Sequence, residues 1–182
     1  LGSRPPDRRE AARAAFDRML RETTVSKDGS RRNEPHLDKM TKMVTLLGEL
    51  RALKAEDKDA RAIVFTQMKY KANRVCERLE RVGISAAPIH GNKTQAARTR
   101  ALEQFRKGKV KVLVATDIAA RGIDVDGITD VFNYDLPTEA ETYIHRIGRT
   151  ARAGSEGQAW TFCSKEEAGQ LLDIERMIKK QI

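Results

Sequence analysis

The sequence predicts an α/β fold, a parallel sheet with helices on both faces, preceded by a partly helical N-terminal extension. From Ala62 onward, short apolar runs of strand length alternate with longer segments whose apolar residues recur at helical spacing. Strands separated by helices of this length cannot pair as tight hairpins; they pair in parallel through crossovers, with helices covering the sheet. Composition allows this: 182 residues with 40% apolar and 34% charged can bury one substantial core beneath a well-charged surface.

The elements follow in order. Leu1-Gly2-Ser3 reads as a cloning scar, and residues 1–35 as a charged extension or linker, with one helix of thin apolar stripe over Glu10 to Arg21. The domain proper is expected over 36–182. Leu37, Met40, Val44, Leu47 and Leu50 lie at helical spacing, predicting a helix over Leu37 to Leu53, and Lys54–Arg61 reads as a polar connection. Ala62-Ile-Val-Phe65 suits a strand buried on both faces. The following helix faces Ala72, Val75, Cys76 and Leu79 inward, and Gly83 stops it. A strand over Ile84 to Ile89, a helix over Thr94 to Lys107 and strands over Val110 to Ala115 and Asp130 to Asn133 come next. Thr138 and Glu141 have the spacing of a capping box for another helix. Gln158 to Cys163 is the last strand, and Leu171, Ile174 and Ile178 form the inner face of a closing helix.

With 35 Lys and Arg against 26 Asp and Glu the chain carries a net charge of +9, which suits polyanion binding and also plain solubility. Cys76 and Cys163 have no metal-ligand spacing and suit reduced thiols of an intracellular, cytoplasmic protein. No apolar run approaches the length of a membrane span, and no signal-peptide pattern opens the chain.

In parallel sheets, ligands collect beyond the carboxyl ends of the strands, so the loops there matter most. His90-Gly91 leads into Thr94, Gln95 and Arg98, where free helix N–H groups and side chains could face a phosphate; an ordinary capped turn fits equally well. Lone His90 reads as a structural histidine. Thr116-Asp117 at a strand end, then Arg121-Gly122-Ile123-Asp124, offers a hydroxyl to a phosphate, a close backbone approach and a carboxylate for ribose hydroxyls. Asp117 as a helix N-cap and Asp124 as a turn residue are the plain alternatives. His145, Arg146, Arg149 and Arg152 crowd the end of one helix, and spacings of three and four put His145, Arg149 and Arg152 on one side. Such a run is either a solvated basic face or a clamp for an anion, since guanidinium forks match phosphate oxygens in pairs.

Ile63-Val-Phe-Thr66, His90-Gly91 with Gln95 and Arg98, Ala115-Thr-Asp-Ile-Ala-Ala-Arg-Gly-Ile-Asp124, Phe132-Asn-Tyr-Asp-Leu-Pro137 and Tyr143-Ile-His-Arg-Ile-Gly-Arg-Thr-Ala-Arg-Ala-Gly154 stand in order and at characteristic separations. Together they resemble motifs IV to VI of the C-terminal RecA-like domain of DEAD-box RNA helicases, from about residue 60 to the end. His145 rather than Gln favours the DEAD-box group, and residues 90–102 resemble its bacterial RhlE-type branch.

The resemblance implies half of an ATP-dependent RNA helicase, inactive alone. Arg149 and Arg152 would be arginine fingers toward ATP, Gly122 and Asp124 would touch the nucleotide, and His145 would link nucleotide and RNA sites. Gly91, Gln95, Arg98 and Thr116 would hold the backbone of single-stranded or duplex RNA. The N-terminal RecA-like domain would be the partner that holds Mg2+, because neither a Gly-x-x-x-x-Gly-Lys-Ser/Thr loop nor an Asp-Glu-Ala-Asp run occurs here. The competing reading is a helicase-derived module that only binds RNA or protein; residues 4–35 could dock a further protein. Two departures stand out. Ala151 lies where the family usually has Gly, and Met68 where many members have a Thr that touches RNA phosphate.

Overall fold

The computed structural model describes residues 39–121, 123, 125–151 and 157–182. The extension expected over 1–35, its Glu10 to Arg21 helix, and Leu37 lie outside these residues. The described chain runs α1 (Lys39–Glu56), β1 (Ala62–Phe65), α2 (Lys69–Arg81), β2 (Ala86–Ile89), α3 (Gln95–Arg106) and β3 (Val112–Ala115). It continues through α4 (Asp117–Ala120), β4 (Asp130–Asn133), α5 (Ala140–Ile147), β5 (Gln158–Thr161), a single 3-10 turn (Lys165–Glu167) and α6 (Ala168–Ile178).

All pairings are parallel, in the order β2-β3-β1-β4-β5, so β1 is central and the carboxyl ends of the strands align along one rim. Alternation along the strands divides the core. Ile63, Phe65, Leu113 and Val131 face a layer containing Phe105, Ala119, Tyr143, Ile147 and Ile174. Ala62, Val64, Val112 and Phe132 face Leu46, Leu50, Val75 and Leu79 on the opposite side. Both faces are therefore covered, which is why the central strands read as unbroken apolar runs. Pro88 lies in β2, an edge strand, where a missing backbone donor costs least.

β1 and β4 have the predicted bounds, and most other elements are one or two residues shorter at an end. α1 instead runs on to Glu56, into the stretch expected to be a polar connection from Lys54. α2 buries Ala72, Val75, Cys76 and Leu79 as expected, and Gly83 takes the left-handed φ of +78° that ends it. In α6, Ile174 is fully buried with Leu171 and Ile178 packed beside it.

Two expectations fail. In α1 the buried stripe is Met43, Leu46 and Leu50, with Leu47 at its margin, and Val44 is 64% exposed. Apolar residues occupy more than one face of this helix, so spacing allowed two stripes. The inward one also carries Lys42, whose buried ammonium donates to the Tyr134 carbonyl and to Glu167. The capping box at Thr138 does not form. α5 begins later, with Glu139 at its N-cap making no side-chain bond, and a capping box instead joins Ser164 and Glu167. There the Glu167 carboxylate also accepts from the Leu136 N–H, so the loop after β4 is fixed by tertiary bonds rather than a local cap.

Candidate functional site

The chain crosses over β1 between β3 and β4, so the rim beside β1 is the switch point where the fold opens a crevice. Arg146 occupies it. Tyr143 and Ile147 are fully buried on α5, and Arg146 shares their side, so it points inward and is only 1% exposed. Its Nε and Nη2 donate to the two carboxylate oxygens of Asp117 at 2.6 and 2.8 Å. Nη1 donates to the Asp135 carbonyl at 2.6 Å and to Asn133 Oδ1 at 3.3 Å. The guanidinium lies 5.0 Å from the Phe65 ring centroid, within cation–π range. One side chain thus ties together the ends of β3, β1 and β4. Arg146, read as part of a run that was either a solvated face or an anion clamp, is neither. The N-cap offered as the plain alternative for Asp117 is held by Thr116, and Asp117 is the fork's partner. The signal available in the sequence was that position 146 falls on the buried side of an apolar helix.

Asp135 extends the brace toward β1. Its Oδ2 accepts from the Gln67 N–H at 3.0 Å and its Oδ1 from Lys71 at 2.9 Å, while Gln67 Nε2 donates to the Leu136 carbonyl at 2.6 Å. The sequence reading missed this group.

α5 ends at Ile147 with Gly148 as C-cap, so Arg149 lies in the turn beyond the helix and shares no continuous helix face with exposed His145. Arg149 is half-exposed, and its Nη1 donates to the Ile123 carbonyl at 2.9 Å. That bond sets Arg149 against the loop that carries Gly122 and Asp124, which themselves lie outside the described residues, as does Arg152. Thr150 anchors the turn by donating to the Ile128 carbonyl at 2.6 Å. Ala151 has φ of +55°, the left-handed conformation in which Ala is strained and Gly is not. Gly157 closes over the turn so tightly that a Cβ there would lie 2.7 Å from the Ala151 nitrogen.

The other predicted residues gather along the β2 and β3 end of the rim. Thr94 caps α3, its Oγ1 accepting from the Ala97 N–H at 3.2 Å, as the capped-turn reading expects. Gln95 is exposed, and Arg98 donates to Gln95 Oε1 at 3.4 Å and to the Ala119 carbonyl at 3.2 Å, joining α3 to α4. Thr116 is nearly buried and its N–H donates to the Ile89 carbonyl at 3.2 Å. Gly91 is exposed beside Lys69, whose Nζ donates to Asn92 Oδ1 at 2.9 Å. Met68, 50% exposed, stands at the N-cap of α2 and supplies no capping oxygen. His90 is 2% exposed with Nε2 2.9 Å from Asn73 Oδ1, but its buried Nδ1 meets no hydrogen-bond partner, so the ring is satisfied on one side only. Burial, then the charges of Lys93 and Lys69, hold its pKa below the usual 6.5.

Comparison with known proteins agrees with this geometry. Residues 38–154 match the family described as Helicase conserved C-terminal domain. The DEAD-box ATP-dependent RNA helicase CshA of Bacillus cereus is 48% identical over 121 residues, 66% of this chain and 23% of that protein. The ATP-dependent RNA helicase CshA of Listeria monocytogenes is 49% identical with the same coverage. Among solved structures, the E. coli DEAD-box protein SrmB bound to regulator of ribonuclease activity A matches with TM-score 0.71 and 35% identity, over 83% of this chain and 90% of that one. Mss116p DEAD-box helicase domain 2 bound to an RNA duplex matches with TM-score 0.70 and 30% identity, over 78% and 57%. The chain belongs to the helicase C-terminal domain family in its DEAD-box group, with the RecA-like fold of those domains. It spans about a quarter of the length of the curated relatives it matches.

Proposed function

We propose that this chain is the C-terminal half of a DEAD-box ATP-dependent RNA helicase, and that residues 36–182 form the domain that meets ATP and RNA from one side of a cleft. The observation that carries the reading is the set of arginine contacts on the loop after β3. Arg146 fixes its start through Asp117, and Arg149 its far side through the Ile123 carbonyl. Arg149 is thereby preorganised at the rim, as a group that stabilises developing charge must be. Arg149 and Arg152 are the fingers of this reading, Gly122 and Asp124 meet the nucleotide, and His145 stands between nucleotide and RNA. A cationic donor set of this kind fits a triphosphate. ATP supplies the hydrolysable phosphoanhydride, with Mg2+ held by the N-terminal RecA-like domain. This chain's part is to place guanidinium groups where negative charge gathers; in known cases a finger raises rates by roughly 10³–10⁵.

Gly91, Gln95, Arg98 and Thr116 form the RNA-backbone track of this reading. Contacts to phosphate and sugar position a strand without reading its sequence. Met68 leaves one hydroxyl contact out of that track. The finer assignment to the RhlE-type branch rests on residues 90–102, and a role for residues 4–35 as a protein-docking linker rests on their charge and length.

Among the described residues no helix is long and apolar enough to cross a membrane. The isolated chain is expected neither to hydrolyse ATP nor to unwind RNA. In the full-length protein, Arg152→Ala should lower kcat far more than it weakens ATP binding. Equal losses in both would refute the transition-state role of Arg152 and favour a module that only binds. Steady ATP turnover by the clean isolated chain, lost in Arg149→Ala, would instead refute the chain's dependence on a second domain.

A further inference from the structure

At the opposite pole of the sheet, where the strands begin, lies a cavity of about 410 Å³. Its floor is aliphatic, from Leu50, Leu53, Ile84 and Val112, and no aromatic side chain lines it. Its rim is cationic. Arg61 and Lys111 are committed, Arg61 to the carbonyls of Phe105 and Arg106 at 3.5 Å, and Lys111 to the Lys58 carbonyl at 2.8 Å. Lys54, Lys58 and Lys109 are exposed and have no ion-pair partner among the described residues. Two carboxyls also line it, Asp57, which accepts from the Asp59 N–H at 2.8 Å, and Asp130, which accepts from Trp160 Nε1 at 3.3 Å. Asp59 lies 3.6 Å from Lys111, and the five lining cations still outnumber the two lining carboxyls.

We infer that this cavity is a docking site for an acidic peptide segment of another protein, one carrying an aliphatic or aromatic side chain between carboxylates. The apolar anchor fills the cavity, and the carboxylates pair with the three uncommitted ammonium groups around it. RNA fits less well. α1, α2 and α3 all end at this pole, so their carbonyl ends lay partial negative charge against the floor, which disfavours a phosphate inside. A base would also find no ring to stack on. Because the cavity lies across the sheet from the rim described above, the segment could bind while that rim is occupied.

The test is selection of random short peptides on the 182-residue chain, in parallel with the Lys58→Glu/Lys109→Glu variant. Both substituted lysines are exposed, so unchanged circular dichroism and melting are expected for the variant. The wild-type chain should enrich peptides with Asp or Glu flanking a Leu, Phe or Trp. A synthetic consensus peptide should bind the variant about tenfold or more weakly, with affinity falling as salt rises. It should also lose affinity for Leu53→Ser, which removes part of the floor. In nuclear magnetic resonance its perturbations should centre on Leu50, Ile84 and Val112. Enrichment without acidic bias, affinity indifferent to the charge reversal, or perturbations confined to the opposite rim would overturn the proposal. So would a labelled oligouridylate that loses affinity with the same lysines while no peptide is selected, because the surface would then belong to nucleic acid.

Discussion

Replacing Asp117 with Ala should be among the most destabilising single changes on the rim. The carboxylate accepts two charge-assisted bonds from a guanidinium that is 1% exposed, and its own side chain is 27% exposed. Its loss leaves two N–H groups without a protein partner and a buried positive charge held only by the Asp135 carbonyl, Asn133 Oδ1 and the Phe65 ring. Breaking one side of a buried pair costs about 3–5 kcal/mol. Partial exposure of Asp117 lets water reach the orphaned donors, so the lower end, about 3 kcal/mol, is the figure to expect. For a chain of this size that corresponds to a fall in Tm of roughly 6–12 °C. Arg146→Met in the same background removes the stranded charge and leaves only the Asp135 carbonyl and Asn133 Oδ1 short of donors, at about 1 kcal/mol each. The double variant should therefore be more stable than Asp117→Ala alone. Urea unfolding of the wild type, both single variants and the double variant closes the cycle. A loss below about 1 kcal/mol for Asp117→Ala, or strict additivity in the double variant, would show that the fork does not hold the rim together.

Three further outcomes follow from the same contacts. Ala151→Gly should relieve the strain of φ +55°; against an αL cost of about 1–2 kcal/mol stands roughly 0.4–1 kcal/mol of added unfolded-state freedom, so a small net stabilisation should appear in urea unfolding. Burial raises the Glu167 carboxyl, but bonds from Lys42 and the backbone N–H groups of Ser164 and Leu136, with the Lys42 charge, hold it below its usual 4.5. A depressed carboxyl stabilises fully above the unfolded value and loses that contribution as pH falls from 4.5 through the folded value. The gap in stability between wild type and Glu167→Gln should narrow over that window in acid titration of unfolding. Burial foremost pushes the Cys76 thiol up to about 12, so iodoacetamide at neutral pH should leave Cys76 unmodified in the native chain and alkylate it only once urea unfolds the protein.

The parallel sheet, the inner face of α2 and the cap on α3 were legible because each is set by local pattern: apolar runs, helical spacing, and a Thr at a helix start. The rim was legible only as residue types in order. Spacing with Tyr143 and Ile147 puts Arg146 on the apolar side of α5, but nothing local supplies its partner, which is Asp117, 29 positions earlier. The same limit applies to α1, where Lys42 is held inside by Glu167 from the far end of the domain, and no spacing within the helix could choose that stripe. Long-range polar pairs are specified by the assembled fold, so a linear reading assigns their members to the surface.

The short helix α4 gains its significance from three arginines that come from different parts of the chain. Its exposed Ile118 contributes no packing, and its buried residues, Ala119 and Ala120, bring little apolar surface. Such a segment has little hold of its own, because burial of small side chains offsets little backbone entropy. Arg146 grips Asp117 at its start, Arg98 grips the Ala119 carbonyl near its end, and Arg149 grips Ile123 just beyond. Arg98 belongs to the proposed RNA track and Arg149 to the proposed nucleotide side, so the two rim regions do not rest on separate supports. Both are fastened to α4 and to Ile123, where charge-assisted and carbonyl bonds add to the burial of Ala119, Ala120 and Ile123 in the core. A ligand that draws either arginine away from its carbonyl therefore loosens the mooring of the other, which is a direct physical route by which one site can be sensed at its neighbour.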